Sequence, residues 1–295
     1  MIDKFIDYIK VEKRYSALTA QAYEKDLHAL CDFLGVSAGE FDPKSATEDD
    51  IKAFLISELD KGKSARSVNR YLSSFRSFWK YLLRVGYTDV DITARIVSPK
   101  TDRPLPVFYK EEEMQRATAG EDSDDDFASV RDSLIIELLY QTGMRRAELL
   151  SLGCNDVDPY LKQLKVLGKR NKERYIPVSD ALLGQIERYI DYRAQLPQQD
   201  NAGELLLSER GKPLSKTTLY NIVHSRMSEV STLKKQSPHV LRHTFATTML
   251  DHGADINTIK TIMGHANLAA TQIYTHTTFE QIKKEYKNAH PRAKK

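Results

Sequence analysis

Cysteine and long apolar runs are the features that this sequence of 295 residues most clearly lacks. Cys31 and Cys154 are its only cysteines, which excludes a disulfide framework and fits a reducing compartment. No apolar run approaches the length of a membrane span. The opening stretch MIDKFIDYIKVEK is charged throughout, unlike the apolar core of a signal peptide. We therefore expect a cytoplasmic protein.

The composition is that of a globular protein, with 41% hydrophobic and 29% charged residues. At 295 residues, the chain is long enough for two domains of ordinary size. The segment SPKTDRPLP at 98–106 holds three prolines, which remove backbone donors and favour extended conformations. We interpret it as a linker between a domain spanning 1–97 and a longer domain spanning 107–295.

Positive charge is concentrated locally, although the net charge is only +3. Between Lys61 and Arg84 there are seven lysines and arginines and no acidic residue. Acid lies elsewhere, notably in EDSDDD at 121–126, which is typical of a solvated loop. The chain average therefore hides a basic segment.

The basic segment has the pattern of an amphipathic helix, SARSVNRYLSSFRSFWKYLLR at 64–84, in a first domain that looks entirely helical. Its apolar stripe repeats at spacings of four and three and consists of Val68, Leu72, Phe75, Trp79 and Leu82. The opposite face carries only cations and hydroxyls, namely Arg66, Arg70, Ser73, Ser77, Lys80 and Arg84. These are groups that contact phosphate and deoxyribose, so the face is a candidate DNA-binding surface; an ordinary solvated helix face remains the alternative.

The second domain mixes helices with short strands. SLIIELLYQTGMRRAELLSL at 133–152 predicts two helices with a tight bend at Gly143. QLKVL and RYIPV alternate like strands, and GKRNK between them supplies a turn. Helical patterns return from about Ala181. The sequence therefore predicts a mainly α-helical fold with a small antiparallel β-sheet in the C-terminal domain.

Seven polar residues in these elements invite a chemical interpretation: Arg145, Glu148, Lys169, His239, Arg242, His265 and Tyr274. Each alone has an ordinary explanation, such as a surface ion pair, a turn lysine, a helix cap or a half-buried phenol. Together they suit cleavage of a phosphodiester. Two arginines can stabilise the non-bridging oxygens, a lysine or histidine can protonate the leaving oxygen, and a tyrosine can form a covalent intermediate.

Two other kinds of site are disfavoured. His239 and His243 have the i, i+4 spacing of a zinc pair, yet Val240 stands where the metalloprotease pattern needs glutamate, and no cysteine pair completes a zinc site. GKS at 62–64 resembles part of a phosphate loop, yet Ser57 stands where that motif needs glycine. We predict neither a metal nor a cofactor, and transesterification needs no nucleotide.

Four blocks, TGMRRAELL, LGKRNKERYIPV, HVLRHTFATTML and MGHANLAATQIYTH, resemble the signature blocks of the tyrosine recombinase (phage integrase) family, in the same order. The ending HPRA and the N-terminal stretch SARSVNRYLSSFRSFWKYLL resemble the XerC/XerD branch in particular. The resemblance covers nearly the whole chain. It is specific because six polar residues fall into matching blocks.

The resemblance implies a role for each residue of the set. Tyr274 would be the nucleophile that forms a 3′-phosphotyrosyl link and frees a 5′-hydroxyl. Arg145 and Arg242 would grip the scissile phosphate, and Lys169 would protonate the leaving 5′-oxygen.

The remaining residues would support these groups. His239 would take up the tyrosine proton or bond the phosphate, His265 would support the phosphate, and Glu148 would orient Arg145 from behind. His243 would be structural.

The sequence departs from the family pattern at two positions. Met144 stands where leucine is usual, a change of little consequence in an apolar site. Arg170 stands where many members have glycine, which puts the turn that aims Lys169 in doubt.

The resemblance also implies an architecture and an activity. A helical core-binding (SAM-like) domain at 1–97 and a catalytic domain at 107–295 would form a C-shaped DNA clamp. Four protomers would recombine two DNA sites through a Holliday junction. The Xer-like ends favour resolution of chromosome dimers, with a paralogous recombinase and a septal DNA translocase as possible partners.

Four alternatives stay open. A mobile-element integrase and a DNA invertase share the chemistry. A type IB topoisomerase is disfavoured by the helical N-terminal segment, and a non-catalytic DNA-binding protein by the complete catalytic set.

The tail TTFEQIKKEYKNAHPRAKK contains a short amphipathic stripe of Phe279, Ile282 and Tyr286. We expect this helix to dock on a neighbouring protomer and to tune cleavage; packing on its own domain is the alternative.

Overall fold

The computed structural model describes residues 1–101, 107–118, 126–168, 171–196, 203–264 and 276–293. The chain divides into two compact units, Met1–Pro104 and Leu105–Lys295, each with its own hydrophobic core. No helix within the described ranges is long and apolar enough to cross a membrane. Most of the linker predicted at 98–106 and of the acidic segment at 121–126 lies outside the described residues.

The first unit consists of four helices: α1 (Ile2–Val11), α2 (Ala17–Phe33), α3 (Glu48–Asp60) and α4 (Ala65–Arg84). Hydroxyl side chains start three of them, because Ser16, Thr47 and Ser64 each accept a hydrogen bond from a backbone N–H of the first turn. The predicted apolar stripe of α4 is buried against the other helices. The prediction of a helical first domain is confirmed.

The second unit is mainly helical around a small sheet. Its helices are α5 (Glu111–Thr118), α6 (Phe127–Thr142), α7 (Arg146–Leu150), α8 (Asp180–Ala194), α9 (Lys216–Val230), α10 (Pro238–Asp251), α11 (Ile256–Met263) and α12 (His276–Ala289). The strands β1 (Val157–Asp158), β2 (Gln163–Leu167) and β3 (Glu173–Pro177) form an antiparallel sheet in the order β1-β2-β3. The predicted fold class is therefore correct.

The bend between α6 and α7 lies at Gly143, as predicted. Gly143 has a φ of +57°, a left-handed conformation that glycine adopts without a Cβ penalty. A Cβ added there would lie 2.3 Å from Cδ1 of Phe245 on α10. The bend therefore requires glycine both for its backbone conformation and for the close approach of α10.

The strands β2 and β3 set the direction of the side chains near the site. Their register pairs Leu164 with Ile176 and Val166 with Arg174. Because side chains alternate along a strand, Arg174 and Ile176 point to the same face, and both are buried. The turn that follows β2 contains Lys169 and Arg170, which lie outside the described residues.

In the single chain, helix α12 packs on its own domain, which is the alternative that the sequence left open; docking on a neighbouring protomer stays a prediction. Ile282 and Tyr286 are buried in the core of the second unit. The uncovered faces of α10, α11 and β3 give this helix a surface to pack on, which periodicity alone does not reveal.

A buried polar network anchors the end of α12. Arg292 forms an ion pair with the fully buried Glu137 of α6, whose other oxygen accepts a hydrogen bond from Gln141 at 2.9 Å. His290 accepts the backbone N–H of Arg292 at Nδ1, at 3.2 Å, and its Nε2 donates to the carbonyl of Tyr140, also at 3.2 Å. This pattern requires a neutral imidazole.

Gly143 provides a test of the bend. We expect Gly143→Ala to lower the free energy of unfolding by at least about 3 kcal/mol, because backbone strain and the overlap with Phe245 add. Gly253→Ala is the matched control: Gly253 has a φ of +82° and open space around its Cβ position, so only strain of about 1 kcal/mol is expected. Urea unfolding of both variants measures the difference. Equal losses would contradict the close packing at Gly143.

His290 provides a pH test. Burial lowers the pKa of His290 from its ordinary value of 6.5 to about 4. Between these values the unfolded chain binds a proton that the folded chain does not, so stability should fall as the pH drops from 6.5 towards 4. The full shift corresponds to about 3 kcal/mol.

We expect His290→Gln, which keeps a donor for the Tyr140 carbonyl, to flatten this pH dependence. The exposed His224 provides the control substitution, His224→Gln, which should keep the wild-type slope. Urea unfolding at a series of pH values between 5 and 7.5, values chosen to straddle the unfolded pKa of about 6.5, is the measurement. If the stability of His290→Gln depended on pH as steeply as that of the wild type, His290 would not be the source of this pH dependence.

Candidate active site

Arg145 and Glu148 meet at the start of α7. The backbone N–H of Arg145 donates to Oε2 of Glu148 at 2.7 Å, and its Nη1 donates to Oε1 at 2.8 Å. The side chain of Arg145 is 39% exposed, whereas that of Glu148 is only 5% exposed. The buried carboxylate therefore fixes both the backbone and the guanidinium of Arg145, and the guanidinium still reaches the surface.

Arg242 lies in the first turns of α10 and is buried. Its Nη1 donates to the carbonyl of Gly143 at 2.5 Å and its Nη2 to the carbonyl of Met263 at 2.7 Å. Burial, followed by the positive charge of Arg145, lowers the pKa of Arg242 to about 10. The guanidinium thus stays charged at neutral pH, and it is held between the α6–α7 bend and α11.

Arg174 on β3 is a member of this cluster that the sequence analysis missed. It forms two parallel hydrogen bonds with Glu148, from Nη1 to Oε1 at 3.0 Å and from Nη2 to Oε2 at 2.8 Å. A signal was available, because the alternation in RYIPV puts Arg174 on the inward face with Ile176. A charged residue at an inward position needs a buried partner, and that requirement predicts an acid nearby.

Three consecutive carbonyl groups at the end of α11 each accept a hydrogen bond from a different arginine. Ile262 accepts from Nε of Arg174 at 2.7 Å. Met263 accepts from Arg242 at 2.7 Å, and Gly264 accepts from Nη2 of Arg145 at 3.0 Å. A helix C-terminus carries partial negative charge and unpaired carbonyls, so it stabilises cations at this place.

The cluster carries a net formal charge of +2, from three guanidinium groups and one carboxylate. Burial acts to raise the pKa of Glu148, but hydrogen bonds and charge from Arg174, and then from Arg145, outweigh it and lower the pKa. Glu148 is therefore ionised at neutral pH. An excess of positive charge in a half-buried place is suited to binding an anion.

His239 lies at the N-terminus of α10, in the turn that carries Arg242, and is exposed. Partial desolvation is the largest cause that lowers the pKa of His239. The nearby charges of His243, Arg242, Lys235 and Arg145 lower this pKa further. A neutral imidazole at this place can accept a proton or a hydrogen bond. His243 is also exposed, and its ring lies 5.5 Å from that of His239, so the expected structural role of His243 has no support from burial.

Lys169, His265 and Tyr274 lie outside the described residues, so their positions relative to the cluster are not part of the structure. The residues that precede two of them do contact it. A Cβ added at Gly168 would lie 3.4 Å from Nη1 of Arg174, and one added at Gly264 would lie 3.0 Å from the same atom. Gly168 and Gly264, which directly precede Lys169 and His265 in the sequence, therefore lie against the arginine cluster.

The candidate DNA-binding face of α4 is less uniform than the sequence indicates. Arg70 forms an ion pair with the buried Asp26 of α2, and Arg84 donates to the Tyr8 hydroxyl at 2.6 Å. Arg84 also lies 3.5 Å from Glu12. Asp26 on α2 and Glu12 just after α1 thus neutralise two of these cations, although the window at 61–84 contains no acid of its own. This corrects the expectation of a purely cationic face.

The rest of this face is open. Arg66, Ser73 and Lys80 are exposed and Ser77 is half-buried. Within the described part of the chain, neither Arg66 nor Lys80 has an ion-pair partner.

Two protein-family patterns match the chain. Residues 108–281 match the Phage integrase family, and residues 2–86 match the family's N-terminal SAM-like domain. The two matches fall within the two compact units of the structure.

Curated relatives match over nearly the full length. Tyrosine recombinase XerD of Listeria monocytogenes is 34% identical over 295 residues, covering 99% of both chains. Tyrosine recombinase XerC of Staphylococcus epidermidis is 36% identical over 296 residues, covering 99% of this chain and 98% of the relative.

Solved structures show the same fold. XerH site-specific recombinase bound to a palindromic difH substrate is similar with a TM-score of 0.70 and 20% identity, covering 97% of this chain and 84% of that one. The Tn1549 transposon integrase in complex with transposon right end DNA is similar with a TM-score of 0.75 and 18% identity, covering 95% of this chain and 97% of that one. With the family matches and the full-length relatives, it follows that this chain belongs to the phage integrase family and is a tyrosine site-specific recombinase.

Proposed function

We propose that this protein recombines a specific DNA site as an Xer-type recombinase, with Arg145 and Arg242 as the groups that grip the scissile phosphate. One observation carries the proposal: Arg145, beside the α6–α7 bend, and Arg242, on α10, converge on the carbonyls of Met263 and Gly264. Guanidinium groups donate in a planar fork and stay charged, which suits the non-bridging oxygens of a phosphodiester.

The charge of the cluster supports the same assignment. A phosphodiester carries one negative charge, and a second develops when a phenol oxygen adds to phosphorus. The net charge of +2 formed by Arg145, Arg174, Arg242 and Glu148 matches that of such a transition state better than that of the substrate. Interactions that strengthen in the transition state are those that accelerate the reaction.

The other roles extend this proposal to residues beyond the cluster. Tyr274 attacks the phosphorus and forms a 3′-phosphotyrosyl bond, while Lys169 protonates the leaving 5′-oxygen. His239 accepts the tyrosine proton or bonds the phosphate, and its lowered pKa favours the neutral form that this role needs. His265 supports the phosphate, and Glu148 orients Arg145.

The assembly and the biological task belong to the same proposal. The helical domain at 1–97 and the catalytic domain at 107–295 clamp duplex DNA in the cytoplasm, and four protomers exchange strands through a Holliday junction. Full-length similarity to XerC and XerD proteins supports resolution of chromosome dimers as the task. A paralogous recombinase and a septal DNA translocase are the partners that this task would involve.

Capture of covalent protein–DNA adducts tests the function. We expect wild-type protein to form adducts on genomic DNA of its source organism, and Tyr274→Phe to form none while still binding DNA. Sequencing of the attached ends identifies the site. One dominant chromosomal site supports dimer resolution, whereas several sites at the ends of elements or at invertible segments reassign the task to integration or inversion. Adducts that persist in Tyr274→Phe would refute the assigned nucleophile.

The open part of the α4 face gives a separate prediction for DNA binding. We expect Arg66→Ala and Lys80→Ala each to weaken binding and to reduce the slope of log affinity against log salt by about 1, because each removes one phosphate contact. Arg70→Ala should instead destabilise the first unit by about 2 kcal/mol, because it removes a partner of the buried Asp26.

Fluorescence anisotropy over a range of salt concentrations measures the slope, and urea unfolding measures the stability. If Arg70→Ala changed the slope as much as Arg66→Ala does, Arg70 would also contact DNA and the distinction would fail.

A further inference from the structure

We propose that Arg174 is a positioning residue of the recombination reaction, which fixes Glu148 and, through it, the guanidinium of Arg145. This inference rests on the proposed role of Arg145 at the scissile phosphate. Arg174 itself is not proposed to touch DNA, because its side chain is only 5% exposed and lies behind Glu148.

Three of the five N–H donors of Arg174 bind two neighbours, Glu148 and Ile262. Nη1 and Nη2 bind the two oxygens of Glu148 in parallel, and Nε binds the carbonyl of Ile262 at 2.7 Å. Only a guanidinium can make this set of contacts, because its donors lie in one rigid plane. Arg174 is thus locked, whereas Arg145 keeps an exposed surface.

The four hydrogen bonds that Glu148 accepts show how the position of Arg174 affects the position of Arg145. Oε1 accepts from the guanidinium of Arg145 and from Arg174, and Oε2 accepts from the backbone N–H of Arg145 and from Arg174. Arg174 therefore holds both oxygens from the buried side, and Arg145 takes the outer side. Without Arg174 the carboxylate would lose two of its four hydrogen bonds, and the guanidinium of Arg145 would be positioned less firmly.

Arg174 also restores positive charge to the cluster. Glu148 and Arg145 alone would form a neutral pair, which would weaken the attraction of Arg145 for a phosphate. Because Arg174 shares the carboxylate, the cluster with Arg242 reaches +2, whereas without Arg174 it would reach only +1. The same residue thus serves both the geometry and the electrostatics of the phosphate grip.

The contact with α11 extends the effect to the second arginine. Arg174 binds the carbonyl of Ile262, and the next two carbonyls bind Arg242 and Arg145. The guanidinium of Arg174 also lies against Gly264, where an added Cβ would meet Nη1, Cζ and Nε at 3.0, 3.1 and 3.2 Å. A shift of Arg174 would therefore displace the end of α11, against which both other arginines are held.

Substitution of Arg174 tests the inference in the full-length protein. We expect Arg174→Met, which keeps the length of the side chain without its charge, to slow single-turnover cleavage of a DNA site by about 100-fold, because small misplacements of catalytic groups have effects of this size. Arg174→Lys keeps the charge but not the paired contacts, so its cleavage rate should lie between those of the wild type and Arg174→Met. The dissociation constant for DNA should change by less than about threefold in both, because binding rests on many phosphate contacts.

The matched control is Arg131→Met. Arg131 is also a buried arginine of the second unit and pairs with a carboxylate, Asp132, at 2.7 Å. Its substitution should lower the unfolding temperature without slowing cleavage at a temperature where the protein is folded. If Arg131→Met and Arg174→Met slowed cleavage equally at equal loss of stability, Arg174 would be merely structural.

Sulfur substitution at the scissile phosphate separates a positioning role from a structural one. Each non-bridging oxygen is replaced by sulfur in turn, which weakens a hydrogen bond to that position. Arg145→Lys identifies the oxygen that depends on Arg145, because there the sulfur penalty shrinks. We expect the sulfur penalty in Arg174→Lys to shrink at this same oxygen and not at the other one. A full wild-type penalty at both positions in Arg174→Lys would overturn the inference, and this test remains available if Arg174→Met does not fold.

The outcomes also separate the inference from the proposed function. If Arg145→Lys cleaves DNA at the wild-type rate, the proposed role of Arg145 fails and the inference fails with it. If Arg145→Lys is slow and Arg174→Lys matches the wild type in rate and sulfur penalty, the proposed function stands and only the role of Arg174 is rejected.

Discussion

The carboxylate of Glu148 is the group on which the arrangement of the candidate site depends. Three guanidinium groups repel one another, and a low-polarity environment strengthens that repulsion. Glu148 holds two of them, and the last turn of α11 offers a carbonyl to each of the three. The carboxylate and the helix terminus together supply the negative charge that keeps the arginines together.

The elements of the second unit can be understood as supports for this arrangement. The glycine bend at Gly143 starts α7 at Arg145 and also offers a carbonyl to Arg242. Strand β3 places Arg174 on the buried side of Glu148, and the hydrogen bonds at the end of α11 join all three arginines. Helix α12 covers the core beneath α10, and its buried end pairs with Glu137 of α6. Helix α12 is thus anchored on the same domain as the arginine cluster.

The sequence predicts the local features well and the long-range pairs poorly. Periodicity locates α4, the bend at Gly143 and the strands around GKRNK, because each pattern lies within about twenty residues. The partner of Arg70 on α2 and the partner of Arg174 on α7 cannot be read from such windows. Arg174 could have been suspected from its inward position in β3, but only the fold identifies Glu148 as the acid that it meets. The packing of α12 on its own domain is a long-range feature of the same kind, since its receiving surface is built from α10, α11 and β3.

A cluster with a net charge of +2 is suited to an anion, and this property bears on the proposed reaction. Taking guanidinium groups out of water costs free energy, so the protein maintains the arginines at a cost in stability. Hydrogen bonds to carbonyls reduce that cost without removing the charge. In the proposed reaction, a phosphate would meet donors already oriented by Glu148 and α11, and little reorganisation would be needed when negative charge grows in the transition state. In the proposed reaction, the hydrogen bonds that hold the arginine cluster together are thus the same ones that orient it for the phosphate.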